Sequence, residues 1–325
     1  MKTKTLPSDG KSVTVIYHAS CYDGFCAAWL LHLVYPDADF VPMQYGGEYP
    51  VDFYDKILGR NVFIVDFSFG RLVMDELIKN AQSLVCLDHH KTAEEALAGL
   101  PGCEFDMYRS GAQMVWDYLA DNLGETWKLL LGELFDVDTM HETSDGSDYR
   151  HWLVEYTADR DLWKWELYES RNVNAAIRLV EFDFEKWDTM AAGTANSHSL
   201  VVVGQTVSTY LARRAEGAVK NAKMVNVFPW HKVGKQISVL SVPCVNVTDP
   251  NVISDVGHLL AKEYDGIGMT YFFDGTQFVF SLRSIGDIDV GKIAHSFGGG
   301  GHKNAAGFKR AEFFELIPAT EPLPA

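Results

Sequence analysis

His18, Asp66 and the run Asp88-His89-His90 each close a short apolar segment, and all are side chains that bind divalent metals. Val13 to Tyr17 runs into His18, Val62 to Val65 into Asp66, and Leu84 to Leu87 into Asp88. Asp23, in the loop after His18, adds another carboxylate. Carboxylates and imidazoles suit the cations that assist phosphate chemistry. Two such ions about 4 Å apart can stabilise the attacking and leaving oxygens of an in-line displacement. An aspartate after a strand is commonly a helix cap or turn former; the converging set points to metal.

Runs of this length, rich in β-branched residues, read as buried strands of a parallel sheet. Ligands of open α/β sheets bind outside the carboxyl ends of the strands. Phe25 to Val34 is apolar nearly all round, as expected of a helix buried against a sheet, and Pro36-Asp37 stops it. Tyr45 to Pro50 reads as a Gly/Pro loop, Val51 to Leu58 as a short helix, and Arg71 to Ala81 as an amphipathic helix. Strand, helix, strand, helix, strand predicts right-handed parallel crossovers. Gly111 to Arg178 is mostly helical in pattern, including Ala112 to Leu119 and Leu153 to Tyr168. Ala191 to Ser199 reads as a linker, and Val201 to Asn226 as a long connecting helix carrying Arg213, Arg214, Lys220 and Lys223. Beyond it, Ile237 to Val242, Ile267 to Phe273 and Phe278 to Leu282 read as strands, with Val252 to Tyr264 as a helix and Asp274-Gly275 as a hairpin turn. The expected fold class is α/β: a doubly wound parallel-sheet domain over 1–190, a linker and connecting helix over 191–230, a smaller α+β domain over 231–315, and a loose tail over 316–325.

The chain has 325 residues, enough for two cores. Its net charge of −16 argues against tracking long duplex DNA, which calls for a basic face. No apolar stretch approaches a membrane span, and Met1 to Lys11 does not resemble a secretory signal. Five cysteines, an odd number without CxxC spacing, read as reduced thiols. A cytoplasmic location without a membrane partner is the expectation.

Ordered motifs now carry a resemblance. They are His18-Ala19-Ser20-Cys21-Tyr22-Asp23-Gly24, Val65-Asp66-Phe67-Ser68, Asp88-His89-His90, Arg109-Ser110-Gly111-Ala112, Asp159-Arg160-Asp161-Leu162-Trp163, and Gly298-Gly299-Gly300-Gly301-His302 followed by Ala305-Ala306-Gly307. The chain resembles the DHH phosphoesterases with a C-terminal DHHA1 domain, a family that includes nano-RNases, cyclic-dinucleotide phosphodiesterases, single-strand exonucleases and some exopolyphosphatases. The resemblance implies two divalent ions, Mn2+ first, with Mg2+ or Co2+ as alternatives. It implies that His18 and Asp66 bind one ion and that Asp23, Asp66, His89 and Asp161 bind the other, with Asp66 bridging. Asp159 competes with Asp161 for that role. Asp88 would orient a ligand imidazole, and His90 would face the substrate phosphate. Cys21 stands where many relatives carry an aspartate. A thiolate ligand for a softer metal and a small buried filler both remain open.

The glycines from Gly298 to Gly301 could turn backbone N–H groups toward phosphate oxygens, with His302 donating to a phosphate or stacking on a base. In relatives this segment holds the substrate. Arg283 at a predicted strand end, Arg109 and Lys91 are candidate phosphate contacts. Trp152, Trp163, Trp165 and Tyr168 could stack bases, although helical spacing favours core packing. The expected function is metal-dependent hydrolysis of short single-stranded oligonucleotides, or of linear or cyclic dinucleotides, to mononucleotides in a cleft between the domains. A homodimer is compatible with the sequence. The rivals are a phosphomonoesterase or exopolyphosphatase, and a non-catalytic nucleotide-binding protein.

Overall fold

The structure, a computed structural model, describes residues 12–45, 47–142, 149–195, 198–227 and 240–316. The chain divides into two compact units, Met1–Ser208 and Thr209–Ala325.

In the first unit, strands β1 (Val13–His18), β2 (Asp39–Met43), β3 (Asn61–Val65), β4 (Ser83–Asp88) and β5 (Cys103–Phe105) form a sheet in the order β2-β1-β3-β4-β5. Every neighbouring pair is parallel. This is the doubly wound order whose direction of winding reverses between β1 and β3, where such sheets open a crevice. Alternation along the strands supplies two cores. Val13, Val15, Phe63, Val65, Val85 and Leu87 face one, and Ile16, Val62, Ile64, Leu84 and Cys86 face the other. Helix α1 (Tyr22–Val34) packs in the first core with α4 (Gly111–Leu123), α6 (Trp152–Asp161) and α8 (Phe184–Ala191). Residues 23–31 are buried without a break, so α1 has no polar face. Helices α2 (Arg71–Asn80) and α3 (Lys91–Leu97) cover the second core.

Several expectations change here. Residues 51–59 form consecutive turns, not a helix; Phe53 and Ile57 are buried at helical spacing, but Lys56 N–H is shared between Asp52 and Phe53 carbonyls. Strands β2 and β5 were not expected, nor was the antiparallel hairpin of β6 (Met140–Glu142) and β7 (Tyr149–His151). Helix α5 (Glu125–Leu134) and α7 (Ser170–Ile177) fill the expected helical stretch. Helix α6 stops at Asp161, and Trp163 and Trp165 follow in left-handed backbone, φ 57° and 59°. Core packing at helical spacing therefore holds for Trp152, whose Nε1 donates to Gly193 O at 2.7 Å, but not for those two. Trp163 and Trp165 meet edge to face at 5.2 Å, and Tyr168 is exposed.

His151 caps α6: its Nδ1 accepts from Leu153 N–H at 3.2 Å, and its Nε2 lies 3.1 Å from Ala191 O. One nitrogen must accept and the other donate, so the ring is neutral. Burial pushes its pKa down to about 3. The folded pKa lies below the unfolded value of about 6.5, so stability is complete above that pH and falls as pH drops toward 3, by up to several kcal/mol at ~1.4 kcal/mol per pH unit. Urea midpoints measured across this window should fall more steeply for the wild-type chain than for His151→Gln.

In the second unit, α9 (His198–Val219), which begins in the first, ends at Val219. The expected helix to Asn226 gives way to β8 (Lys223–Val227). A seven-stranded sheet follows in the order β12-β13-β11-β10-β9-β8-β14, with β9 (Leu240–Asn246), β10 (Ile267–Phe273), β11 (Phe278–Ser284), β12 (Gly300–Gly301), β13 (Ala305–Arg310) and β14 (Glu315–Leu316). Only β9 and β10 run parallel, joined by α10 (Ile253–Glu263). Strands β10 and β11 form the expected hairpin, with Asp274 Oδ1 accepting from Thr276 and Gln277 N–H groups. Helix α11 (Val290–Ser296) precedes β12. The expected strand residues 237–239, the tail from 317 and the start up to 11 lie outside the described residues. No helix among the described residues is long and apolar enough to cross a membrane, and no disulfide links the five cysteines.

Candidate metal centre

The carboxyl ends of β1, β3 and β4 deliver His18, Asp66 and Asp88-His89-His90 to the β1/β3 crevice. Asp66 takes left-handed backbone, φ 51°, a conformation aspartate tolerates better than most residues and one that clusters at functional sites. Its Oδ1 lies 3.0 Å from His89 Nε2 and its Oδ2 3.5 Å from His18 Nδ1. His89 Nε2 also lies 3.4 Å from Asp161 Oδ2 and 3.7 Å from Asp23 Oδ2. A single ring nitrogen therefore faces three carboxylates, yet it can donate only one proton.

Two groups of donors in this unit come within 4.8 Å of one another: Asp23, His89 and Asp161, and His18, Asp66 and His90. The Oδ2 atoms of Asp66 and Asp161 are buried and accept no hydrogen bond. Buried, unpaired carboxylate oxygens are costly unless a cation joins them. The carboxylate oxygens suit Mn2+ and Mg2+, and the imidazoles among them suit transition metals better than Mg2+. The residues fit two divalent ions.

Electrostatics without metal agree. Burial, then repulsion from Asp66 and Asp161, raises the Asp23 pKa well above the usual carboxylate range. Burial likewise raises Asp161, though His89 opposes it. Burial also disfavours a charged Asp66, but the adjoining His18 and His89 rings outweigh it and hold Asp66 well below that range. His89, despite burial, is pushed up to about 10 by Asp66, Asp161 and Asp23. Protons thus balance the pocket in the bare chain, and a divalent cation would displace them.

Asp88 Oδ1 accepts from His89 N–H at 2.8 Å and lies 2.6 Å from His90 Nδ1. It fixes both the turn and the His90 ring. His90 groups with His18 and Asp66, so it stands with the donors of one site as well as where a phosphate contact is expected. Lys91 opens α3 beside it. Cys21 precedes α1, half-buried; burial, Asp66, Asp161 and Asp23 raise its pKa well above a normal thiol. In the bare site that favours the neutral thiol.

The fourth motif separates its two aspartates. Asp159 accepts from Glu166 N–H at 2.9 Å and from the Ser170 hydroxyl, holding the loop after α6. Asp161 enters the cluster. Asp161→Asn is expected to weaken Mn2+ binding by at least tenfold with little change in metal-free stability. Asp159→Asn should do the reverse; titration calorimetry and thermal melts separate the two.

Arg109, a candidate phosphate contact, is engaged by carboxylates of its own unit. Its guanidinium binds Asp106 at 2.7 Å, Asp117 at 2.8 Å and Glu104 at 3.0 Å. Three carboxylates on its own unit compete with any phosphate. Arg150 continues the network from Asp117 to Glu155, and Glu155 accepts from Gln113 Nε2 at 3.0 Å. Gln113 and Ser110 form a capping box on α4. With the cap made, the first two N–H groups of α4, on Gly111 and Ala112, donate to Asp23 at 2.5 and 3.1 Å.

Other contributors escaped the sequence reading. A Cβ on Gly24 would lie 2.5 Å from His18 O and 3.1 Å from Asp66 Oδ2; one on Gly111 would lie 2.6 Å from Asp66 Cβ and 3.0 Å from Asp23 Oδ2. The motifs contain both glycines, but only the close approach reveals why. Tyr45, from the Gly/Pro loop and about half exposed, meets His18 and His90 edge to face at 5.5 and 5.6 Å.

In the second unit part of the glycine run is committed to the chain's own backbone. N–H groups of Gly298, Gly299 and His302 donate to His295, Ala294 and Ala305 carbonyls, so they are not turned toward a phosphate. Glycine is required for packing: a Cβ at Gly299 would lie 2.0 Å from Gly307 O, and Gly301 has φ 138°. Gly300 pairs with Gly307 across β12 and β13, and His302 is half-buried. Arg283 is half-buried rather than solvated, with Nη2 donating to Ser254 Oγ at 2.7 Å.

Residues 236–317 match the DHHA1 domain family. The chain is 24% identical over 318 residues to Uncharacterized protein R106 of Acanthamoeba polyphaga mimivirus, covering 90% of this chain and 66% of that one. It is 24% identical over 266 residues to Oligoribonuclease NrnB of Bacillus subtilis, covering 76% and 58%. The chain thus spans about three-fifths to two-thirds of the length of these relatives. Among solved structures it is similar to RecJ in complex with Mn2+ from Thermus thermophilus, at 16% identity and a TM-score of 0.48, covering 94% of this chain and 53% of that one.

Proposed function

The chain belongs to the DHH/DHHA1 phosphoesterase family, and from that premise we propose that it hydrolyses short single-stranded oligonucleotides or dinucleotides to mononucleotides with two divalent metal ions. The observation that carries this reading is Asp66, whose two carboxylate oxygens face His89 and His18 at 3.0 and 3.5 Å between two donor groups. His18, Asp66 and His90 would hold one ion; Asp23, Asp66, His89 and Asp161 would hold the other. Bound there, Mn2+ or Mg2+ supplies Lewis acidity and a water acidic enough to ionise near neutral pH.

The chain's own residues do the rest. The α4 N-terminus fixes Asp23 through two backbone donors, so that carboxylate needs no reorganisation when substrate arrives. Asp88 accepts from His90 Nδ1, which orients the ring so that Nε2 would be available to a phosphate oxygen. Tyr45 offers a half-exposed ring edge at the mouth of the cluster, suited to a sugar or base. A net charge of −16 favours short substrates over long duplexes.

The test is incubation with dinucleotides, cyclic dinucleotides, 5′-labelled oligonucleotides and polyphosphate, with and without Mn2+. Metal-dependent release of mononucleotides from the shortest substrates is expected. Turnover of polyphosphate alone would transfer the reading to an exopolyphosphatase, and no turnover of any substrate would leave a binding protein.

A further inference from the structure

Strand β8 begins at Lys223, opposite Cys244, so β9 continues past Cys244 without that neighbour. A groove of about 840 Å³ opens there, lined by the last turns of α9, the start of β8, the end of β9 and three aromatic rings. It lies wholly within the second unit. The β-ladder separates it from the glycine run: Phe278 on its wall pairs with Arg310, whereas Arg283 pairs with Ala305 at the other end of β11. Five residues of strand span roughly 17 Å.

Its lining combines two chemistries. Arg213, Arg214 and Lys223 are exposed and form no ion pair with a described residue. Asp249 is the one carboxylate among the lining residues, and its Oδ1 accepts from Asn251 N–H. Tyr271, Phe278 and Phe313 form a half-buried cluster of mutually tilted rings, with Phe313 centred 4.5 Å from Tyr271 and 5.3 Å from Phe278. In a chain of net charge −16, three cations gathered at one groove mark where an anion can settle. Cations beside partly exposed aromatic rings are what a single strand requires, phosphates on the former and a base on a ring face of the latter. The volume suits a ligand the size of one or two nucleotides.

We propose that this groove is a second nucleic-acid site, which holds one or two nucleotides of a single-stranded oligonucleotide on residues that include neither the glycine run nor the metal ligands. The choice of ligand rests on the phosphodiesterase reading; the binding step requires no metal and is tested without it.

The experiment is fluorescence anisotropy of a short labelled oligoadenylate with the full chain in EDTA. Combined R213E, R214E and K223E substitutions should weaken binding by about tenfold or more. They should also remove most of a salt dependence whose log–log slope is about −2 for three phosphate contacts. Tyr271→Leu, which keeps the apolar packing, should weaken oligoadenylate about fivefold to tenfold by loss of stacking while leaving inorganic polyphosphate unaffected. Wild-type affinity in the charge-reversed chain overturns the proposal. So does equal weakening of polyphosphate by Tyr271→Leu, which describes a generic anion site, or displacement of the oligonucleotide by polyglutamate at equal charge concentration, which describes an acidic-peptide site. Dinucleotide hydrolysis with Mn2+, measured on the same proteins, should be unchanged by the substitutions. Its absence from the wild-type chain counts against the phosphodiesterase reading and leaves the binding comparison standing.

Discussion

Asp66→Asn is expected to lower metal-dependent hydrolysis by about three orders of magnitude or more, the scale at which a group that stabilises transition-state charge directly is removed. The amide keeps the shape of the side chain but cannot bridge two cations. The melting temperature separates this from a folding defect. Metal that binds only the folded chain stabilises it by RT ln(1 + [L]/Kd), so added Mn2+ should raise the wild-type melting point and leave the variant's unchanged. Without metal the two proteins should melt within a few degrees of each other. The substitution costs His89 and His18 a charged partner, but it also removes one of three mutually repelling carboxylates. Retention of more than a tenth of the wild-type rate would show that Asp66 is not the bridge.

Gly111→Ala is the second large effect, and its sign opposes helix propensity. Alanine is about 1 kcal/mol better than glycine inside a helix, and Gly111 begins α4 with no positive φ to relieve. Its added methyl would nevertheless fall 2.6 Å from Asp66 Cβ and 3.0 Å from Asp23 Oδ2. Neither neighbour is a flexible side-chain end. Asp66 is held by N–H donation to Leu87 O and by two histidines, and Asp23 by the helix N–H groups. The carboxylates must move apart, and displacement of about 1 Å at a catalytic centre can cost 10²-fold in rate. The expected result is a chain that melts near the wild-type temperature, binds Mn2+ at least tenfold more weakly and turns over at most about a hundredth as fast. Unaltered Mn2+ affinity would remove Gly111 from the machinery of the site.

Strands β1, β3 and β4 were legible because both faces of each are buried, and burial on both faces leaves an unbroken apolar run. Strand β2 was hidden by Asp39 and Pro42, which an edge strand tolerates. Strand β5 and the hairpin of β6 and β7, with three residues in each strand, are too short to show a period. The turns at 51–59 mislead because Phe53 and Ile57 keep the i, i+4 spacing of a helix. The end of α9 was misplaced because Ala222, Val225 and Val227 extend an apolar pattern that changes period only after Asn221. In the site, residue types and strand ends pointed to the donors, since the sheet's topology gathers them. Arg109 shows the converse. Whether an arginine meets a phosphate or three carboxylates depends on Glu104, Asp106 and Asp117, and only the folded chain brings those together. Between Asp159 and Asp161, only the Leu162-Trp163 pair that follows favoured the second in the sequence; in the folded chain the loop carrying Glu166 and Ser170 claims the first.

The unbroken burial of α1 has a consequence for the order of synthesis. All five strands of the first sheet have been made by Phe105, but Phe25 packs on Trp187 at 4.9 Å, and Trp29 Nε1 donates to Asp188 at 2.8 Å. At about 5–20 residues per second the ribosome needs on the order of ten seconds to supply that partner helix. Throughout that interval the apolar outer side of α1 lacks its cover, and Asp23 sits in the first turn of a helix not yet fully packed. The nascent chain is therefore most aggregation-prone with its sheet complete and this side of α1 uncovered, and α8 is the segment whose arrival ends that exposure.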